Sequence, residues 1–191
     1  MSIGSFLAQF DGSLIERAYQ FFESMLEIED SEIPIELKLV DNLGRGHTAG
    51  VCQPKFKDGN LESISIQIKN QGTSIGMIEA LAHEMVHAKQ IIKGESTVEI
   101  TYSKLFGFIK VPKATKFWKG QDVTGLSYYE QPAEIEAHMM QKYLTFTFLN
   151  IYKEKFEPDN MFKLMLSLKV DKLTETARAL ADSIITTDEE V

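Results

Sequence analysis

At 191 residues the chain has room for one domain with a sizeable core, and its 43% hydrophobic and 25% charged residues are ordinary for a soluble globular protein. A net charge of -8 argues against a broad nucleic-acid or anionic-membrane footprint. No apolar run approaches the roughly 20 residues of a bilayer span, and Cys52, the only cysteine, excludes an intrachain disulfide and a cysteine-based zinc ribbon.

The N-terminus, MSIGSFLAQFDGS, lacks a basic segment followed by an apolar one, so no secretory signal is expected. The simplest reading is an intracellular, cytoplasmic protein. Leu14, Ile15, Ala18, Phe21, Phe22, Met25 and Leu26 recur at helical spacing, which predicts an amphipathic helix capped by Asp11 or Ser13. From Ile33 the period changes to two. Ile35 to Leu39 reads as a first strand, the glycines of the turn at 41–46 as a hairpin, and Ala49, Val51 and Cys52 as a second strand.

Asp58-Gly59-Asn60 marks another turn. Beyond it, Ile64, Ile66 and Ile68 alternate with Ser63, Ser65 and Gln67. A strand with one polar face is expected at a sheet edge, where its free backbone groups can pair with an extended peptide. Thr73 or Ser74 then caps a helix that runs to Lys93-Gly94. Ile75, Ile78, Leu81, Ala82, Met85 and Val86 form its apolar stripe, and it carries His83-Glu84-Met85-Val86-His87.

Residues four apart on a helix share a side, so His83 and His87 can bind one Zn²⁺ at about 2.0–2.1 Å each. Glu84 is rotated off that side, where it can bond a water rather than the metal. Only four histidines are present, and two of them bracket a glutamate at this spacing.

Glu95 to Gly125 is less legible. Val98 to Tyr102 reads as a short strand, the lysines from Lys104 to Lys119 as a solvated basic loop, and Phe117-Trp118-Lys119-Gly120 as a small hairpin near the site. Pro132 suits a first helical position and opens a second strong helix. Phe162 to Ile184 gives a last amphipathic stripe.

A catalytic zinc site needs a third protein ligand. The candidates are Glu134, Glu136 and His138, all on the helix that Pro132 opens. Glu134 and Glu136 are about 200° apart around that helix, so only one of them faces the metal. Glu134 and His138 share a face and can act as ligand and orienting partner. Glu134 is the preferred ligand, with Glu136 and His138 as alternatives.

The block Thr48-Ala49-Gly50-Val51-Cys52, the Ile64–Ile68 strand and Glu79-Ala80-Leu81-Ala82-His83-Glu84-Met85-Val86-His87-Ala88 resemble the SprT-like domain of zincin metallopeptidases over roughly the first half of the chain. That resemblance implies an α+β zincin-like domain with a small mixed or antiparallel N-terminal sheet, an active-site helix and C-terminal helices. The expected division is 1–157 for the metallopeptidase domain and 158–191 for a C-terminal helix and tail packed on it.

The second half departs from the SprT-like pattern, which places a third histidine downstream and in many members a zinc ribbon. Pro132 to Ala137 instead looks like the gluzincin arrangement, with a glutamate on a second helix. His138 stands where that pattern has Asp or Asn. Small virus-encoded peptidases, acting in a host cytoplasm, also look like this combination.

The expected function is zinc-dependent hydrolysis of a peptide or protein substrate, with Glu84 as general base and Tyr128 or Tyr129 as candidate oxyanion donors. No membrane or nucleic-acid partner is expected, and the oligomeric state stays open. The alternatives are a non-catalytic, zinc-stabilised interaction module and a zinc amidase acting on a non-protein amide.

Overall fold

The computed structural model describes residues 12–43, 49–70, 74–105 and 109–152. The expected cap Asp11, the turn glycines Gly44 and Gly46, Thr73 and the predicted helix of 158–191 lie outside them. Helix α1 (Gly12–Met25) turns Ile15, Ala18 and Phe22 into the core at helical spacing. Strands β1 (Ile35–Val40), β2 (Gly50–Lys57) and β3 (Asn60–Lys69) form one sheet in the order β1-β3-β2.

That order corrects two expectations. β1 and β2 are not hairpin partners. The hairpin is β2–β3, closed by Asp58 and Gly59 at φ 52° and 83°, the paired left-handed residues that suit a tight antiparallel turn. Nor is β3 an edge strand. It is central, parallel to β1 and antiparallel to β2, so its backbone groups are already paired on both sides.

Alternation reports the polarity of a strand's two faces, not its place in the sheet. Ser63 and Ser65 are buried, and their small side chains leave room for a bridge between the flanking strands. Glu36 of β1 is aligned with Ser65, and Lys55 of β2 with Ser63. Their charged ends meet 3.3 Å apart.

Helix α2 (Ser74–Ile92) buries Met77, Ile78, Leu81, Ala82, Met85 and Val86 completely, in one core with Ile64, Ile66 and Ile68 of β3. It stops where Gly94 takes φ 67°. The Gly94 N–H donates to Ile91 O and the Glu95 N–H to Gln90 O, which satisfies two of the orphaned carbonyls of the last turn. Helix α3 (Pro132–Ile151) begins at the predicted proline and runs antiparallel to α2, since Gln90 reaches Glu136 while His83 reaches Gln141. Its far end is packed by Phe148, whose ring centroid lies 5.6 Å from that of Phe21 and 5.9 Å from that of Phe22.

Between the two helices the poorly legible stretch is a second sheet. β4 (Ser96–Leu105) and β5 (Ile109–Trp118) pair antiparallel along their length, and β6 (Gln121–Asp122) adds a short third strand. Phe117 to Gly120 does form a small hairpin, the β5–β6 turn, with Lys119 and Gly120 at φ 45° and 80°. The predicted short strand and solvated loop are replaced by a long ribbon. Its pattern is faint because Val98, Ile100 and Tyr102 are all exposed, so no buried face imposes a contrast. The architecture is mixed α+β, and no helix among the described residues is long and apolar enough to cross a membrane.

Candidate metal centre

Three donor atoms from two helices converge at one point. His83 Nε2 and His87 Nε2, one turn apart on α2, are 3.1 Å from each other. Glu134 Oε2, from the first turn of α3, is 3.5 Å from the first and 3.4 Å from the second. Donors bound at about 2.0–2.1 Å around a tetrahedral ion sit about 3.3–3.4 Å apart, so these spacings are those of a metal's coordination edge.

Glu134 Oε2 is buried, and its neighbours are the two histidine Nε2 atoms at 3.5 and 3.4 Å, neither in good hydrogen-bond geometry. A buried carboxylate oxygen in those surroundings suits a bound cation. His83, His87 and Glu134 therefore lie close enough together to hold a metal ion.

The other two candidates for third ligand stand elsewhere. Glu136 accepts a hydrogen bond from Gln90 Nε2 at 2.7 Å and faces Lys89 Nζ at 3.4 Å. His138 has its ring centroid 4.7 Å from that of His83 and 6.5 Å from that of Tyr128, beside the three donors rather than among them.

Glu84 is buried next to the histidines. Burial raises its pKa, with Glu134 adding to the rise, while the two histidines and the Cys52 N–H, which donates to the carboxylate, pull it back. Gly50, at the start of β2, makes room for this side chain. A Cβ there would lie 2.7 Å from Glu84 Cγ and 2.8 Å from its Oε1.

Burial also pushes the Cys52 thiol up, with the Glu84 charge as a second cause. Glu134 is held well below the usual carboxylate range. Burial alone would raise it, but His83, His87 and the Tyr128 hydroxyl outweigh that effect. Burial lowers the His87 pKa, and contacts with Glu134, Gln90 and Glu84 more than reverse the change.

Tyr128 and Tyr129, the candidate donors, are both exposed, Tyr128 by 50% and Tyr129 by 80%. The Tyr128 pKa is raised, first by partial burial and then by Glu134, which keeps its hydroxyl protonated beside the centre. A cleft of about 190 Å³ opens on the ribbon side of the ligands, lined by His87, Glu134, Val98, Lys116, Trp118 and Val123 among others.

Three residues escaped the sequence reading. Gln90, whose Oε1 is 2.9 Å from His87 Nδ1, is three residues beyond that histidine, a spacing that itself announces contact. Gln141, 3.2 Å from His83 Nδ1, falls on the stripe of Glu134 and His138 and was equally findable. Gly50 gave no local signal, because its role depends on where β2 meets α2.

Comparison with known proteins adds nothing to this geometry: no family model, no curated protein and no solved structure matches the chain.

Proposed function

We propose that the chain is a zinc-dependent peptidase of the zincin type, with His83, His87 and Glu134 as ligands and Glu84 as general base. The observation that carries this reading is the set of 3.1, 3.4 and 3.5 Å separations among three donor atoms, one of them a buried carboxylate oxygen. Two imidazoles and one carboxylate match a catalytic zinc set, which leaves a fourth position open. When bound, zinc supplies Lewis acidity to the attacking water and to the scissile carbonyl.

The chain's own residues do the rest. Glu84 takes the proton of the attacking water and returns it to the leaving amine. Its raised pKa suits both halves of that task, since the proton must be held between the two steps. The Tyr128 hydroxyl, protonated beside Glu134, donates to the developing oxyanion.

An extended peptide pairs with the outer edge of β2, which among the described residues is bonded on one side alone and begins against Glu84. The substrate strand thus moves one position outward from the β3 expected by sequence. The cleft beside His87 then receives one substrate side chain.

The test is Glu84→Gln. Turnover of a mixed peptide library should fall by about 10²–10⁴-fold, the usual contribution of a positioned base, with zinc still bound at one equivalent. Undiminished hydrolysis by the variant, or a zinc-loaded wild type inert towards every peptide, sinks the proposal.

A further inference from the structure

Gln90 lies wholly buried on α2, one turn beyond His87. Its amide nitrogen donates to the Ala133 carbonyl at 3.0 Å and to the Glu136 carboxylate at 2.7 Å. Neither acceptor has a hydrogen to offer. Turning the amide over would therefore set its oxygen against two other oxygens, and the contacts themselves fix its orientation.

The Gln90 carbonyl oxygen consequently faces His87 Nδ1 at 2.9 Å, and an oxygen there requires a hydrogen from that nitrogen. In a neutral imidazole with Nδ1 protonated, Nε2 carries the bare lone pair. Nε2 is the atom that lies 3.4 Å from Glu134 and 3.1 Å from His83 Nε2.

We propose that Gln90 is a positioning residue for the metal centre, holding His87 in the Nδ1–H tautomer so that its Nε2 is a ready donor before any ion arrives. Gln141 makes the matching contact to His83 Nδ1, through its own carbonyl oxygen at 3.2 Å. The His87 ring then turns its lone pair towards a carboxylate oxygen, a pair of acceptors that a cation satisfies.

Gln90 has a second reach. Ala133 precedes Glu134 in the first turn of α3 and Glu136 follows it, so the same amide also touches the segment that carries Glu134. The orienting group is also neutral, unlike the carboxylates that often serve this purpose. Its neighbour Glu136 is balanced by Lys89, which is in turn held 2.7 Å from Glu95.

The inference rests on the zinc reading only where it concerns affinity, and the test separates the two. In metal-free wild type at alkaline pH, long-range ¹H–¹⁵N spectra of the imidazoles should show His87 as a single Nδ1–H tautomer. In Gln90→Met, which keeps the length but loses every hydrogen bond, His87 should become a mixture. Zinc affinity, read by competition with a chromophoric chelator, should fall about 10–100-fold, as expected when an orienting partner is removed.

Glu136→Gln separates positioning from mere bracing of the two helices. It keeps an acceptor for Gln90, so tautomer and affinity should stay near wild type. Equal damage from Glu136→Gln and Gln90→Met would overturn the proposal. So would an Nε2–H His87 in the wild type, a result that needs no variant to fold. A wild type showing the Nδ1–H tautomer yet taking up no zinc would sink the zinc reading while sustaining the assignment of the ring's tautomer to Gln90.

Discussion

The two sheets are of similar strand number and opposite character. The β1-β3-β2 sheet lies in the core: Ile64 and Ile66 are fully buried, and even the serines of β3 are covered. The β4-β5-β6 sheet stands clear, with Val98, Ile100 and Tyr102 more than half exposed. The first is fixed by many contacts and positions Glu84 through Gly50. The second is tied down at its root, where the Lys119 N–H donates to Glu95 O and the Lys119 ammonium faces the Glu95 carboxylate at 3.7 Å. Glu84 beside the candidate metal centre is thus set by the buried sheet, and one wall of the cleft by the sheet with fewer restraints.

The sharpest way to break this contrast is Gly50→Ala. The added methyl has 2.7 Å where an ordinary contact needs more, and the atom it meets is Glu84 Cγ, on a side chain enclosed by its surroundings. Displacing the carboxylate by even a fraction of its length should cost on the order of 10²-fold in turnover. The stability cost should be smaller, about 1–3 kcal/mol, the usual range for overpacking. Metal binding should persist, because Gly50 lies against Glu84 and not against His83, His87 or Glu134. Full activity in the variant would mean that the sheet yields more readily than its burial implies.

How much of this was legible in the sequence follows from the range of the forces involved. Helices α2 and α3, the stop at Gly94 and the start at Pro132 were readable because helical periodicity and these two residues are local signals. The turn at Asp58-Gly59 was readable for the same reason. Strand order was not, since the parallel pairing of β1 with β3 joins segments distant in sequence, and the alternation of Ile and Ser is the same in a central strand as at an edge. The ribbon was read short because two exposed faces leave little pattern. At the centre, spacing alone left three choices of third ligand. Partners separate them: Glu136 is taken by Gln90 and Lys89, whereas Glu134 Oε2 is left to the histidines.

A second test lies between the sheets, in the contact of His87 with Glu134, and it concerns the metal-free protein. Glu134 is held below its ordinary 4.5, so its contribution to stability is present above pH 4.5 and is lost as pH falls towards the depressed value. His87 is held above its ordinary 6.5, so its contribution is complete below pH 6.5 and is lost as pH rises through the elevated value. Both contributions are in force between pH 4.5 and 6.5. The melting temperature should peak in that window, and Glu134→Gln should flatten the peak by about 1.5–3 kcal/mol, the scale of a hydrogen bond to a charged group. A metal ion bound at these atoms would reverse the trend, because it competes with protons for them and binds more tightly as pH rises. A metal-free melting curve that climbs steadily through the window would show that the pair is not formed.

The smallest effect is expected at Ile100→Ser, on the ribbon. Ile100 is 62% exposed and lies on the same side of β4 as Val98 and Tyr102. Removing it takes little apolar surface out of contact, so stability should change by no more than about 0.5 kcal/mol. The lower strand preference of serine falls within that figure. Thermal melting of the two proteins side by side decides the point. A loss of about 2–5 kcal/mol, the cost of truncating a core isoleucine, would mean that this face is covered and that the two sheets are less different than their exposure indicates. An unchanged melting temperature with altered preference among peptides would leave the ribbon as the wall that selects them, separate from the proposed metal centre.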